Sequence, residues 1–570
     1  MKFTCCIKRL FSITGWKRFF LCFLTVWIAV NFAQSAFTEI HSDEAYYYIY
    51  GENLAWGYFD HPPMVGLMTY VSSLFFSGNL AVRFATVLLQ FFTLVLIWRL
   101  IDEKAPDTGK TVLFAIVSSS TVMFQAYGFI TAPDVPLLFF TALFLLAYRK
   151  FLQHESWRHT LMLSLSMSGM IYSKYHAFLV IGFIVLSNLR ILTGSRFWLA
   201  VIFTAVLLIP HVYWQVSMDF PSFKYHLSDR SASFRWSYFL EYLPNQLAVF
   251  NPFTLAAAAY IIVKYRPREI FYRGLHSLVA GIVAFFWIMS FRGHVEPHWT
   301  VACTIPMIVM VYRYSLRDRR LMKYVKYCIL PSISLIYTAR ILLVADVLPE
   351  RLNFYGKARR CKAIETVAGN LPAVFTGSFQ NPSNYHFFTG KESTVLSAID
   401  TRRTQFDILQ KELGYHGKPV LVCAAIPGKS QEYCVDGIRF HAFRTESFQS
   451  VNRLEINYEL PGNSIRIGDT LHIEFEIYNP SGFTVDFHHP EFPVSLKAVY
   501  ITDRKRFEFR NCILLQDVAT IPANARIKST LKTAVPDLAA NDCRFSLSLD
   551  NTVCCAQNSK LTYIKFERTR

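Results

Sequence analysis

Four carboxylates, Asp43, Glu44, Glu52 and Asp60, fall within "HSDEAYYYIYGENLAWGYFDHPPM", residues 41–64, among seven aromatic side chains. A further acid, Asp134, lies in "GFITAPDVPLLFF". Cations stand in two other short stretches: Lys174 with His176 in "SKYH", and Arg292, His294 and His298, with Glu296, in "FRGHVEPHW". Carboxylates beside a few cations can take a proton from an attacking hydroxyl while steadying a departing anion. A divalent cation would serve the second purpose as well, and its candidate ligands here are Asp60 and Asp134. Whether a cation is required stays open at this point. Two other patterns fail on spacing. "DTGKT" at 107–111 has Lys104 where a phosphate-binding loop needs glycine, and His154 and His159 stand five apart, off the spacing of helical zinc ligands.

Each candidate also has a plainer structural reading. Ser42 can cap a helix that takes Asp43 and Glu44 in its first turn. Thr131 with Asp134 has the spacing of a capping box, with Pro133 in the first turn. Lys174 and Arg292 can anchor at the headgroup level, as aromatic residues do. Capping does not explain why scarce cations share the same loops as the acids, and the joint pattern favours a site.

The elements that position these residues are membrane spans. Mean hydropathy is +0.27 and 53% of residues are hydrophobic, and the apolar runs reach the ~20 residues a crossing helix needs. Eleven spans are expected, at 18–38, 81–101, 111–129, 132–149, 160–173, 177–194, 197–216, 246–263, 274–291, 298–312 and 327–347. The apolar stretch 64–78 is short, follows Pro62-Pro63 and is expected to lie in the interface. The first run is too long and too basic-flanked for a cleaved signal.

The net charge of +18 does not point to nucleic acid, because the cations sit in short loops between apolar runs. Alternate loops carry Lys2, Lys8, Arg9, Lys17 and Arg18, then Arg99, Lys104 and Lys110, Arg149, Lys150 and Arg158, Arg190 and Arg196, Lys264 to Arg273, and Arg313 to Lys326. The other set holds only Arg83, Lys174, Lys224, Arg230, Arg235 and Arg292, and no Lys or Arg occurs between Phe19 and Val82. By the positive-inside rule the first set is cytoplasmic. The acid-rich loops, and everything after about residue 350, then face outward.

Three regions are expected: a helical membrane domain at 1–349, a small α/β domain at 350–450 and a β-sandwich at 451–570. The last reads as short alternating strands such as "LHIEFEIYN", "VSLKAVYITD" and "RFSLSLD", broken by turn residues. Seven cysteines, Cys361, Cys423, Cys434, Cys512, Cys543, Cys554 and Cys555, lie in this tail and five (Cys5, Cys6, Cys22, Cys303, Cys328) lie before it. An odd number permits no pairing to be read.

At "SDEAYYYIYGENLAWGYFDHPPM", "TAPDVPLLFF" and "SKYHA" the chain resembles the bacterial branch of the dolichyl-phosphate-mannose–protein mannosyltransferase-like enzymes, the GT-C group that includes the aminoarabinose transferases of lipid A. The resemblance covers 40–300 and fades afterwards, although "FQNPSNYHFFTG" and "TRRTQFDIL" are similar to the family's exported segment. It implies a polytopic α-helical GT-C membrane protein of about eleven spans in a bacterial cytoplasmic membrane, with its site and C-terminal domains on the periplasmic side. The implied reaction moves a sugar, with inversion, from a polyprenyl-phosphate donor to a hydroxyl of lipid A, a protein or a glycan.

Carried onto this chain, the resemblance makes Asp43, Glu44 and Asp134 the catalytic set. Asp43 is the general base or acceptor-orienting carboxylate, Glu44 its support, and Asp134 an orienting or cation-binding acid. Asp60 matches an acidic position before the Pro-Pro pair, and His61 stands where some relatives carry Lys. With Asp60 and His61, residues Lys174, His176, Arg292 and His298 form the substrate-binding set, the last four for the lipid phosphate. Asp43 and Asp60 are 17 apart, about 25 Å on a continuous helix, so Gly51 or Gly57 must turn the chain for them to meet. A ligase or polymerase of the same fold stays open as an alternative. A transporter or flippase is disfavoured because ionisable residues sit at span ends rather than mid-span.

Overall fold

The computed structural model describes residues 15–226, 235–347, 354–462, 464–502, 506–538 and 542–567. Lys2, Lys8, Arg9, Cys5, Cys6 and Arg230 lie outside the described residues. The chain forms two compact units, Met1–Tyr355 and Gly356–Arg570.

Among the described residues of the first unit, six helices are long and apolar enough to cross a bilayer: Gly15–Phe37, Leu80–Ile101, Asp134–Gln153, Ser195–Ser217, Ile270–Met289 and Arg319–Val344. At ~1.5 Å per residue each covers or approaches the ~30 Å hydrocarbon core. The other five expected spans are helical but shorter or broken. Residues 111–129 become Thr108–Ser119 and Val122–Ala126, and Trp157–Ser173 and Ala177–Ser187 follow in order. Trp236–Phe250 and Pro252–Lys264 meet at a bend of 103°, where Asn251 takes a positive φ and caps the second helix. Pro297–Cys303 is a 3-10 turn leading into Thr304–Ser315. The residues expected to lie in the interface form the helix Met64–Ser73.

Packing around residues 41–73 depends on close approach at glycines. A Cβ on Gly51 would sit 2.5 Å from Thr69 Oγ1 and 2.8 Å from the Tyr70 nitrogen. Only a glycine lets Ser42–Glu52 lie this close to Met64–Ser73, where Thr69 Oγ1 donates to the Tyr47 carbonyl. Gly66 plays the same part for the Tyr58 ring. Gly51 therefore serves close approach inside a helix, and the chain reverses after Glu52.

The second unit begins with a five-stranded sheet in the order Ser393–Leu396, Ala373–Thr376, Val420–Cys423, Ile438–Thr445, Gln431–Val435. Its first three strands are parallel and the last two pair antiparallel. Helices Lys357–Ala368 and Gln380–Thr389 accompany it. Two larger sheets follow, together with a two-stranded one of Val485–Asp486 and Thr520–Ile521. One is built around Ser495–Ile501 and Asp542–Asp550, the other around Thr470–Tyr478 and Arg526–Ala534. Alternate residues such as Leu471, Ile473, Phe475 and Ile477 point into a common core with Phe545, Leu547 and Leu549, as a period of two requires. All ten described cysteines are free thiols.

Candidate functional site

The Ser42–Glu52 helix starts at a reciprocal cap made by His41, one residue before the expected Ser42. The His41 side chain accepts from the Asp43 nitrogen, and Glu44 accepts from the His41 nitrogen at 2.8 Å. Glu44 is fully buried and does more than cap. Its Oε1 accepts from Arg83 Nε at 2.7 Å and from the Thr131 nitrogen at 2.9 Å, while Oε2 accepts from Arg83 Nη2 at 2.6 Å. Arg83, also fully buried, donates its remaining N–H groups to the Ser35, Thr38 and Glu39 carbonyls. One carboxylate thus fastens three chain segments together. Its neighbour Asp43 is open, with 44% of its side chain exposed and His41 Nδ1 at 3.6 Å.

Asp134 begins the helix Asp134–Gln153 after Pro133, which makes no side-chain cap. Thr131 does not cap it either: its hydroxyl donates to the Val82 carbonyl and meets Thr86 Oγ1 at 2.7 Å. Asp134 is buried, and both its oxygens accept from Lys174 Nζ, at 2.8 and 2.9 Å. Lys174 reaches it from the end of Trp157–Ser173. His298 Nε2 lies 4.0 Å from Asp134 Oδ2, and the Tyr127 hydroxyl also meets this carboxylate. Asp134, Lys174 and His298 therefore come together from three loops far apart in sequence.

Asp60 and His61 form a second group. Tyr50 donates its hydroxyl to Asp60 Oδ1 at 2.5 Å, and His61 Nδ1 lies 2.8 Å from the same atom. Burial, with the Asp60 carboxylate beside it, pushes the Tyr50 hydroxyl well above the ordinary tyrosine range, so it remains the donor. Tyr58 stacks on Tyr50 at 4.0 Å and donates to the Tyr50 carbonyl, which folds the Asp60 segment back over the helix. The His61 ring meets Tyr47 edge-on at 5.6 Å. Tyr47 is one turn after Asp43, hence on the same helix face.

The remaining candidates are placed differently. His176 packs between Trp299 and Phe286, with ring centres at 5.0 and 5.3 Å. Arg292 is exposed, and His294 lies 3.6 Å from Glu296. Among the described residues no group of three or more His, Cys, Asp or Glu side chains could hold a metal ion. Asp134 is engaged by Lys174, and Asp60 by Tyr50 and His61. Arg83 was not among the expected site residues. Its signal was present as a lone cation opening an apolar helix, next to a long stretch without base.

Residues 60–214 match the family model described as dolichyl-phosphate-mannose-protein mannosyltransferase, an interval that holds Asp60, His61, Asp134, Lys174 and His176 but begins after Asp43 and Glu44. The chain is 27% identical over 264 residues to the lipid A galacturonosyltransferase RgtD of Rhizobium johnstonii, covering 42% of this chain and 53% of that one. It thus spans about half the length of this curated relative. ArnT from Cupriavidus metallidurans in the apo state superposes with a TM-score of 0.55 at 13% identity, over 74% of this chain and 97% of that one. The same protein bound to undecaprenyl phosphate gives a TM-score of 0.54. The fold is therefore like that of ArnT, and residues 60–214 carry the sequence pattern of the dolichyl-phosphate-mannose-protein mannosyltransferase model.

Proposed function

We propose that this protein is an inverting glycosyltransferase that moves a sugar from a polyprenyl-phosphate donor to a hydroxyl acceptor at the outer face of a bacterial cytoplasmic membrane. In a single displacement the acceptor oxygen bonds to the anomeric carbon as the bond from that carbon to the phosphate oxygen breaks. The electron pair leaves with the polyprenyl phosphate, and Asp43 takes the acceptor's proton. Lys174 and His298, joined by His61 and Arg292, steady the phosphate charge, and His176 packs beside them.

One observation carries this reading. Of the four acids Asp43, Glu44, Asp60 and Asp134, three are buried and engaged by Arg83, by Tyr50 and His61, or by Lys174, while Asp43 stands open on the same helix face as Tyr47. A general base must reach the acceptor and must not already be neutralised. Asp43 is part exposed and outside any buried ion pair, whereas Glu44 is buried against Arg83.

The donor class draws support from the ArnT structure that holds undecaprenyl phosphate, and the name of the lipid A galacturonosyltransferase makes lipid A the first acceptor to test. Mass spectrometry of membrane lipids and glycans from a deletion strain and an Asp43→Asn strain tests the reading. Both strains should accumulate one lipid-linked sugar and lack its product. Normal product in the Asp43→Asn strain overturns it, and a product larger by an oligosaccharide assigns a ligase instead.

A further inference from the structure

Arg340 lies in the membrane helix Leu330–Val344 and is buried at 7% exposure. Its guanidinium is held by three amide oxygens: Nε donates to Gln34 Oε1 at 2.5 Å, Nη1 to Gln125 Oε1 at 2.6 Å and Nη2 to Asn31 Oδ1 at 2.8 Å. Phe129 and Tyr337 flank it, with ring centres 5.0 and 5.5 Å from the guanidinium carbon. Among the described residues no carboxylate pairs with it. A charge within a span is costly and normally answers to a function, and packed apolar residues would hold helices together at no such cost. What the fork-shaped cation adds is geometry, since it fixes three acceptors in one plane.

Those acceptors lead to the site. Asn31 and Gln34 belong to Gly15–Phe37, whereas Gln125 and Phe129 belong to the outer turn that runs on to Asp134. A Cβ on Gly128 would lie 2.5 Å from Asn31 Oδ1, so the turn presses against the clamp at a position only glycine fits. Farther along, Thr131 is fixed by Glu44, and Tyr127 meets Asp134. Residues 125–134 are thus held between two buried arginines, Arg340 at one end and Arg83, through Glu44, at the other.

We propose that Arg340 is a positioning residue: through residues 125–131 it sets Asp134, and through Asp134 the Lys174 ammonium that receives the donor phosphate. The inference rests on the functional reading above. Its test is the affinity of the purified full-length protein in detergent for undecaprenyl phosphate, alongside the melting temperature of each variant. Arg340→Gln should weaken binding about tenfold, the coupling expected of residues in one network, and Arg340→Lys should not rescue it. Gly128→Ala, which displaces only Asn31, should act in the same direction and serves where Arg340→Gln does not fold. In a Lys174→Gln background neither substitution should weaken binding further. Equal losses in the wild-type and Lys174→Gln backgrounds reduce Arg340 to a structural residue and overturn the proposal. Absence of binding by the wild-type protein overturns the functional reading itself, and the inference with it.

Discussion

Glu44→Gln separates the two adjacent acids. Each Glu44 oxygen accepts twice, Oε1 from Arg83 Nε and the Thr131 nitrogen, Oε2 from Arg83 Nη2 and the His41 nitrogen. A glutamine amide keeps one such oxygen and puts an NH2 group where the other stood. In either orientation that NH2 faces two N–H donors, and Arg83 remains charged with no exposure to water. Removing one partner of a buried ion pair costs about 3–5 kcal/mol, or roughly two to three and a half powers of ten in the folding equilibrium at ~1.4 kcal/mol each. Asp43→Asn, at 44% side-chain exposure with His41 at 3.6 Å, should cost under about 1 kcal/mol. Thermal unfolding of the solubilised protein, followed by tryptophan fluorescence, reads both. The Glu44→Gln transition should move down by many degrees while Asp43→Asn melts like the wild type. Arg83→Leu should be at least as severe, and the double variant no worse than the harsher single one, because the network is lost once. A Glu44→Gln protein with wild-type melting would refute the assignment of Glu44 as a staple.

Asp43→Asn should lower transfer by about a hundredfold or more, the range for loss of a general base, measured as product formed from a polyprenyl-phosphate sugar. Gly66→Ala places a Cβ 2.2 Å from the Tyr58 hydroxyl and should destabilise by about 1–3 kcal/mol as an overpacking change, with transfer falling because the Tyr50–Asp60 contact shifts. In the second unit, burial holds the Glu412 carboxyl above its usual 4.5 although Arg453 opposes this. Its folded form therefore binds the proton more tightly than the unfolded chain does, so its contribution is complete below pH 4.5 and is lost as pH rises through the elevated value. Hydrogen exchange at residues 405–416, corrected for intrinsic rates, should quicken over that window, and Glu412→Gln should flatten the trend.

The fold class was legible because it rests on long-range averages. Runs of apolar residues, scarce base between Phe19 and Val82, and strands alternating with period two survive errors of several residues. What could not be read was how the spans break. The bend at Asn251 depends on one positive φ followed by Pro252, and the unwound Pro297–Cys303 segment is set by packing around Thr300, whose hydroxyl meets Gln246. The candidate site residues could be picked out by type but not by partner. Glu44, Asp60 and Asp134 look alike in sequence, and their partners Arg83, Tyr50 and Lys174 lie 39, 10 and 40 residues away. The cap fell on His41 rather than Ser42 because Glu44 is positioned by Arg83, and the reciprocal bond then selects the residue three before it. Asn31, Gln34 and Gln125 gave no chemical signal, since an amide in a helix is unremarkable until the cation it faces is known.

The three engaged acids act as fasteners between loops. Apolar helices in lipid associate without a strong hydrophobic drive and can slide or rotate at little cost, so a loop at their ends inherits that latitude. A buried charge pair removes it, because a shift of even 1 Å separates charges that low dielectric surroundings hold strongly. Glu44 with Arg83 ties Ser42–Glu52 to Leu80–Ile101 and the turn at 125–134, Asp134 with Lys174 ties that turn to Trp157–Ser173, and Asp60 with Tyr50 closes the reversal after Glu52. Each fastener consumes the acid that makes it. A catalytic carboxylate in such a frame must be one that the frame does not use, and it must stand beside one that the frame does. On the proposed reading that acid is Asp43, which stands part exposed next to Glu44, the acid held by Arg83.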